Sequence, residues 1–79
     1  MKEFVEYLIK NLVSDPTGVN VKMLDQENRW TIQICVTSQD VAKVIGRQGR
    51  TIQALRTLAV SIGARLGRKV VITLVNELT

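Results

Sequence analysis

Val44-Ile45-Gly46-Arg47-Gln48-Gly49-Arg50-Thr51-Ile52 sets two glycines around two polar residues, with apolar residues on both flanks. Both flanks read as helices. Upstream, Thr37-Ser38-Gln39-Asp40 has the pattern of a helix start, with Thr37 as N-cap and Asp40 at the third helical position, a weak capping box. A short helix then runs to Ile45. Downstream, Ile52, Leu55, Ala59, Ile62 and Leu66 follow one another at steps of three and four residues. That spacing predicts a helix from Arg50 to Leu66 with those residues on its core face, stopped by Gly67. Between the helices, Gly46 can take a left-handed conformation and end the first. Gly49 carries no Cβ and so lets another backbone approach closely. The new helix starts there with N–H groups and the positive end of its dipole, which suits a phosphodiester. Arg47 and Arg50, with Lys43 beside them, supply counter-charge.

Working outward, residues 2–14 place Phe4, Val5, Leu8, Ile9, Leu12 and Val13 on one face of an amphipathic helix, ended by Asp15-Pro16-Thr17-Gly18. Val19, Val21 and Met23 alternate as a first strand, and Asp25-Gln26-Glu27-Asn28 reads as a polar loop. Trp30, Ile32, Ile34 and Val36 alternate as a second strand, so the two form a hairpin. Lys69–Val75 is apolar and β-branched, a third strand. The order is α-β-β-α-α-β. The short loop makes the first two strands antiparallel, and the helical crossover makes the second and third parallel. The expected fold is α+β: a mixed three-stranded sheet with helices on one face, covering Trp30, Ile32, Ile34 and Val36. Thr31, Gln33 and Cys35 lie on the other, open face. No repeat or linker interrupts residues 1–79, which read as one domain.

The chain has 79 residues, 46% of them apolar and 23% charged, an ordinary globular balance. A chain this short builds one modest core, which leaves little room for a deep, walled active site. There is no His and one Cys. A metal cluster, an internal disulfide and a general base in the basic half are therefore not expected, nor are a cofactor, a small-molecule substrate or enzymatic activity. Cys35 reads as a small, half-buried strand residue. The absence of a long apolar run excludes a membrane helix and a signal core, so the chain reads as cytoplasmic. Charge is unevenly placed. Residues 1–40 carry four cations against six carboxylates, whereas residues 41–76 carry seven cations and no carboxylate. Such a stretch attracts polyanions, and it also suits a plain solvated face.

The segment Val44–Ile52 resembles the VIGxxGxxI signature of KH (K-homology) domains at each specified position, and the element order is similar to that of the type II variant. The resemblance covers essentially the whole chain and is closest to the small stand-alone bacterial KH proteins of the KhpA-like family. It implies single-stranded RNA as partner, with about four nucleotides held by the loop Gly46–Gly49. Arg47 and Gln48 would face phosphates. Ile45 and Ile52, with Ile34 or Val36, would floor a groove, and Arg65, Arg68 and Lys69 would form its opposite rim. Ile45 and Ile52 suit core packing equally well, and the rim residues suit a solvated face. The few aromatics, with Trp30 on the buried side and Phe4 on the helical core face, leave base stacking little part in affinity. The resemblance further implies a homodimer, a complex with a larger KH-containing protein of the Jag/KhpB type, and a role as RNA chaperone or post-transcriptional regulator linked in some bacteria to cell-wall growth and cell shape.

Two other readings compete. Residues 38–66 form two helices about a short turn, as in a DNA-binding helix-turn-helix, but Ile52, Leu55, Ala59 and Ile62 commit one helix face to the core, and only Gln53 and Arg56 remain to read bases. Arg56, on the outer side of its helix, is expected to matter little to RNA. A protein-interaction module is the third reading: Val71 and Val75 on the open sheet face, with two strand edges, favour self-association.

Overall fold

Alternation buries every second side chain of a strand, and the segment around Ile32 and Ile34 shows it most clearly. In the computed structural model, which describes residues 1–75, β2 (Arg29–Cys35) is the central strand of a three-stranded sheet. β1 (Asn20–Gln26) pairs with it antiparallel, and β3 (Lys69–Leu74) pairs with it parallel. The α-helices are α1 (Lys2–Leu12), α2 (Val41–Ile45) and α3 (Arg50–Arg65), and the order is the expected α-β-β-α-α-β. Ile32 and Ile34 from β2, Val70, Ile72 and Leu74 from β3 and Val21 from β1 form the sheet side of the core. Val5 and Ile9, Val44, and Ile52, Leu55 and Ala59 close it from the three helices. Truncating Ile32 or Ile34, both fully buried, to Ala would cost about 2–5 kcal/mol. Thr31, Gln33 and Cys35 are half-buried on the opposite, uncovered face.

Four local expectations change. The polar loop over Asp25–Asn28 shrinks to two residues, because Gln26 pairs with Arg29 and only Glu27 and Asn28 turn, Glu27 at φ +46°. Polar residues extend into β1 because it is an edge strand with one solvated face. The first helix stops at Leu12, and Val13 is extended, two residues before the predicted end. Phe4 and Leu12, assigned to its core face, are about two-fifths exposed at the margin of the packed stripe, which Val5 and Ile9 occupy. Leu66, predicted in the core, is exposed, and Gly63 is buried instead. A Cβ on Gly63 would lie 2.8 Å from the Arg68 carbonyl oxygen, so the chain can turn back against the helix only there. The turn is closed by bonds from Gly67 N–H to Ala64 O and from Arg68 N–H to Gly63 O, the paired bonds of a Schellman motif.

Candidate nucleic-acid interface

The two glycines between α2 and α3 divide the labour differently from the expectation. Gly46 sits at φ +77°, ψ +173°, a region essentially confined to glycine. A Cβ on it would fall 2.6 Å from Thr51 Cβ and 2.9 Å from Thr51 N. The close approach therefore occurs at Gly46, within the chain. Gly49 is the left-handed residue (φ +75°, ψ +12°), and a Cβ there would meet nothing within 4 Å. Gln48 is left-handed as well (φ +57°, ψ +25°), an uncommon state for a residue with a side chain. The two consecutive left-handed residues turn the loop outward, leaving Arg47, Gln48 and Arg50 exposed and Gly49 half-buried. No side chain caps the start of α3, and its first turn holds no acid. Arg47 and Arg50 thus crowd two cations onto the positive end of a 16-residue helix. Each such placement is unfavourable by about 0.3–1 kcal/mol, and an anion bound there would reverse the sign.

α2 is held in place by a residue that local reading misassigned. Asp40 forms no capping box. Its carboxylate is buried and accepts four hydrogen bonds: from Ser14 N–H (3.0 Å), Ser14 Oγ (2.8 Å), Asp15 N–H (3.1 Å) and Thr37 Oγ1 (3.0 Å). The Ser14 backbone N–H above all, with the Ser14 hydroxyl, the Asp15 N–H and the Thr37 hydroxyl, holds this carboxyl far below the usual carboxylate range, against burial, which pushes it up. The clasp ties the chain after α1 to the start of α2. Lys43 joins it: its Nζ donates to Ser14 Oγ and lies 3.7 Å from Asp40 Oδ1. Lys43 is exposed, but its charge is shared with this clasp, unlike those of Arg47 and Arg50.

Three further candidates lie at the far end of α3, about 24 Å from the loop for 16 residues at 1.5 Å each. Arg65 and Lys69 are exposed. Arg68 is engaged: its guanidinium carbon stands 5.7 Å from the centroid of the half-buried Trp30 ring, and Nη1 donates to Glu27 O at 2.6 Å. Lys69 N–H donates to Asn28 O. This end of the helix is therefore stitched to the β1–β2 turn.

The predicted groove floor needs correction. Ile52 is 2% exposed, Ile34 is fully buried and Val36 is buried, so all three belong to the core and none can line an open groove. Ile45 is half-buried and only packs against that core. The surface that does join the loop to the far rim is the flank of α3 beside β3, an edge strand with a neighbour on one side only. Arg56, set aside by the sequence reading, lies there: its Nε donates to the Ile72 carbonyl oxygen at 3.3 Å. The signal that would have found it is its place one helical turn from Ile52, on the side of α3 that meets the third strand.

No helix of the described residues is long and apolar enough to cross a membrane. The family model for the KH domain of KhpA and KhpB matches residues 2–74. The RNA-binding protein KhpA of Chlamydia trachomatis serovar D is 42% identical over 77 residues, covering 98% of this chain and 99% of the relative. KhpA of Aquifex aeolicus is 36% identical over 76 residues, 96% of each chain. KhpA of Mycobacterium tuberculosis is 43% identical over 61 residues, 77% of this chain and 76% of the relative. No solved structure matches. With its type II arrangement of elements and its exposed two-glycine loop between α2 and α3, the chain belongs to the KhpA/KhpB KH-domain family.

Proposed function

We propose that this chain binds single-stranded RNA, with one phosphate against Gly46–Gly49 and the start of α3, and bases along the flank of α3 beside the open edge of β3. Arg47, Gln48, Gly49 and Arg50 hold the backbone; Arg56 and Val60 border the path; Arg65, Arg68 and Lys69 end it; Lys43 and Ile45 support the loop from α2. The observation that carries this reading is the exposed, uncapped and cationic start of α3 behind two left-handed residues. RNA binding is also what the relatives' names state of them. With no aromatic on the path, affinity rests on phosphates and falls steeply with salt.

Replacing Arg47 and Gln48 together by Asp tests the reading. Both are exposed, so the fold should survive. Losing two charge-assisted contacts should weaken binding of a short oligoribonucleotide by roughly 100-fold. Unchanged affinity in a folded variant refutes the loop assignment.

A duplex-reading helix-turn-helix fits less well, because α2 has five residues and Arg56 is turned to β3. Self-association has an observation of its own. Leu8, Asn11 and Leu12 of α1 and Thr51, Ala54, Leu55 and Leu58 of α3 line an apolar groove, with Leu58 about half exposed. We assign the homodimer expected of the family to this helical surface instead of to Val71 and Val75. A heteromer with a larger Jag/KhpB-type KH protein, and action as an RNA chaperone or post-transcriptional regulator in the cytoplasm, complete the proposal.

A further inference from the structure

The sheet face turned away from the helices carries three cations, of which the loop reading uses only Lys69. Strand alternation puts Lys22, Leu24 and Gln26 of β1, Arg29, Thr31 and Gln33 of β2, and Lys69, Val71 and Thr73 of β3 on that face. It holds three cations and no carboxylate; Glu27, in the turn, borders it. Arg29 stands directly opposite Lys69 in the parallel register. Like charges so placed repel, and among the described residues neither they nor Lys22 has an ion-pair partner. Two shallow depressions open on the face. One is lined by Gln26, Glu27, Asn28, Arg29 and Lys69, the other by Asn20, Lys22, Gln33, Cys35 and Val75. From Lys22 to Gln26 the strand advances about 13 Å, room for more than one backbone phosphate. Between the cations lies the rung Leu24, Thr31 and Val71, with Leu24 45% exposed, and the amides and hydroxyl of Gln26, Gln33 and Thr73 flank it; no exposed aromatic anchor of the kind that dominates protein interfaces is present.

We infer that the open sheet face is a second binding surface for the sugar–phosphate backbone of single-stranded nucleic acid, engaged by a strand that continues from, or lies beside, the one in the α3–β3 path. Charge complementarity selects the occupant: the face carries three cations against one carboxylate, Glu27, at its border, and its two closest cations have no ion-pair partner among the described residues. The inference rests on the loop reading, since one molecule then holds RNA on two sides. A long strand gains from both surfaces because the second contact is intramolecular.

The test uses the intact chain with two oligouridines, of about five and about 20 nucleotides, and a polyglutamate peptide of similar charge. Wild type should bind the long oligomer at least about tenfold more tightly than the short one. Lys22→Glu with Arg29→Glu changes only exposed residues outside the loop and its path. This variant should bind the short oligomer within about twofold of wild type and lose the gain for the long one. Its salt slope for the long oligomer should fall by about 1.4, at 0.7 for each phosphate contact. The loop variant R47D/Q48D should show the reverse pattern: binding of the short oligomer weakened roughly 100-fold, with residual, salt-sensitive binding of the long one. Unchanged binding of the long oligomer by K22E/R29E, with a normal melting curve, overturns the second surface and leaves the loop reading intact. Equal weakening of both oligomers also overturns it, as a general charge effect. Polyglutamate bound by wild type as tightly as the long RNA, and lost in K22E/R29E, overturns it in favour of an acidic protein partner. Wild type that binds neither oligomer overturns the loop reading itself.

Discussion

Arg47 and Arg50 at the start of α3 and Arg68 just past its end are in opposite states. At the start, Arg47 and Arg50 are exposed, have no ion-pair partner among the described residues, and sit where the helix dipole opposes them. At the finish, Arg68 stacks on Trp30 and donates to the Glu27 carbonyl, and the Schellman bonds complete the turn. One end keeps an electrostatic cost that the fold does not relieve; the other spends its cation on holding three strands together. Counting positive charge along the sequence scores both ends alike. Partners separate them: the arginines at the start have none within the described residues and are free for the proposed binding, whereas Arg68 is held within the fold.

The strongest way to break the contrast is to disable the loop end through its backbone. Gly46→Ala forces a side chain into a glycine-only region and against Thr51, and should destabilise the chain by about 3 kcal/mol. A melting curve should show a fall of more than about 10 °C for a domain of this size. Gly49→Ala, where space is open, should cost about 1 kcal/mol. Equal losses for the two would contradict the division of labour between the glycines. A finer comparison pairs Arg47→Ala with Arg68→Ala. The first should raise the midpoint by up to a few degrees, as a cation leaves the positive end of α3, while weakening RNA binding. The second should lose about 1–2 kcal/mol of stability and change Trp30 emission. Stability losses of equal size would erase the distinction.

Asp40→Asn sharpens the comparison through pH. The folded-state pKa of Asp40 is depressed, so its contribution is complete above the ordinary value of 3.8 and is lost as pH falls toward the lowered one. The variant should be less stable than wild type at pH 7, and the difference should shrink as pH drops below 3.8. A difference independent of pH would mean that Asp40 acts by shape alone. The smallest effect belongs to Arg65→Ala: no measurable change in stability, within about 0.5 kcal/mol, and a modest loss of affinity confined to RNA long enough to reach the far end of α3.

Much of this was legible because it is periodic. Ile32 and Ile34 alternate, Ile52, Leu55 and Ala59 recur at helical spacing, and the pairing of strands followed from the length of their connections. Loop position was legible because two glycines in four residues break a helical pattern. The partners of single polar groups were not. Asp40 reads locally as a capping residue, yet its ligands come from Ser14 and Asp15, 26 and 25 residues away, and nothing in sequence spacing marks such a distance. Leu66 continued the helical rhythm but lost its core place to Gly63, because the returning chain left no room for a side chain. Ile52 fitted groove and core equally on paper, and Ile34 or Val36 was expected to share the groove floor; burial placed all three inside.

The chain has a single tryptophan, and its position gives it a kinetic use. Trp30 lies opposite Val70 across the parallel β2–β3 pair, with Arg68 over its ring. The hairpin can zip without either neighbour, whereas both arrive only when the long crossover has closed, which is the slower kind of event. Indole emission should therefore time the moment at which the topology becomes complete, and any lag behind the far-ultraviolet signal would measure how long the molecule waits with its helices formed and its last strand undocked.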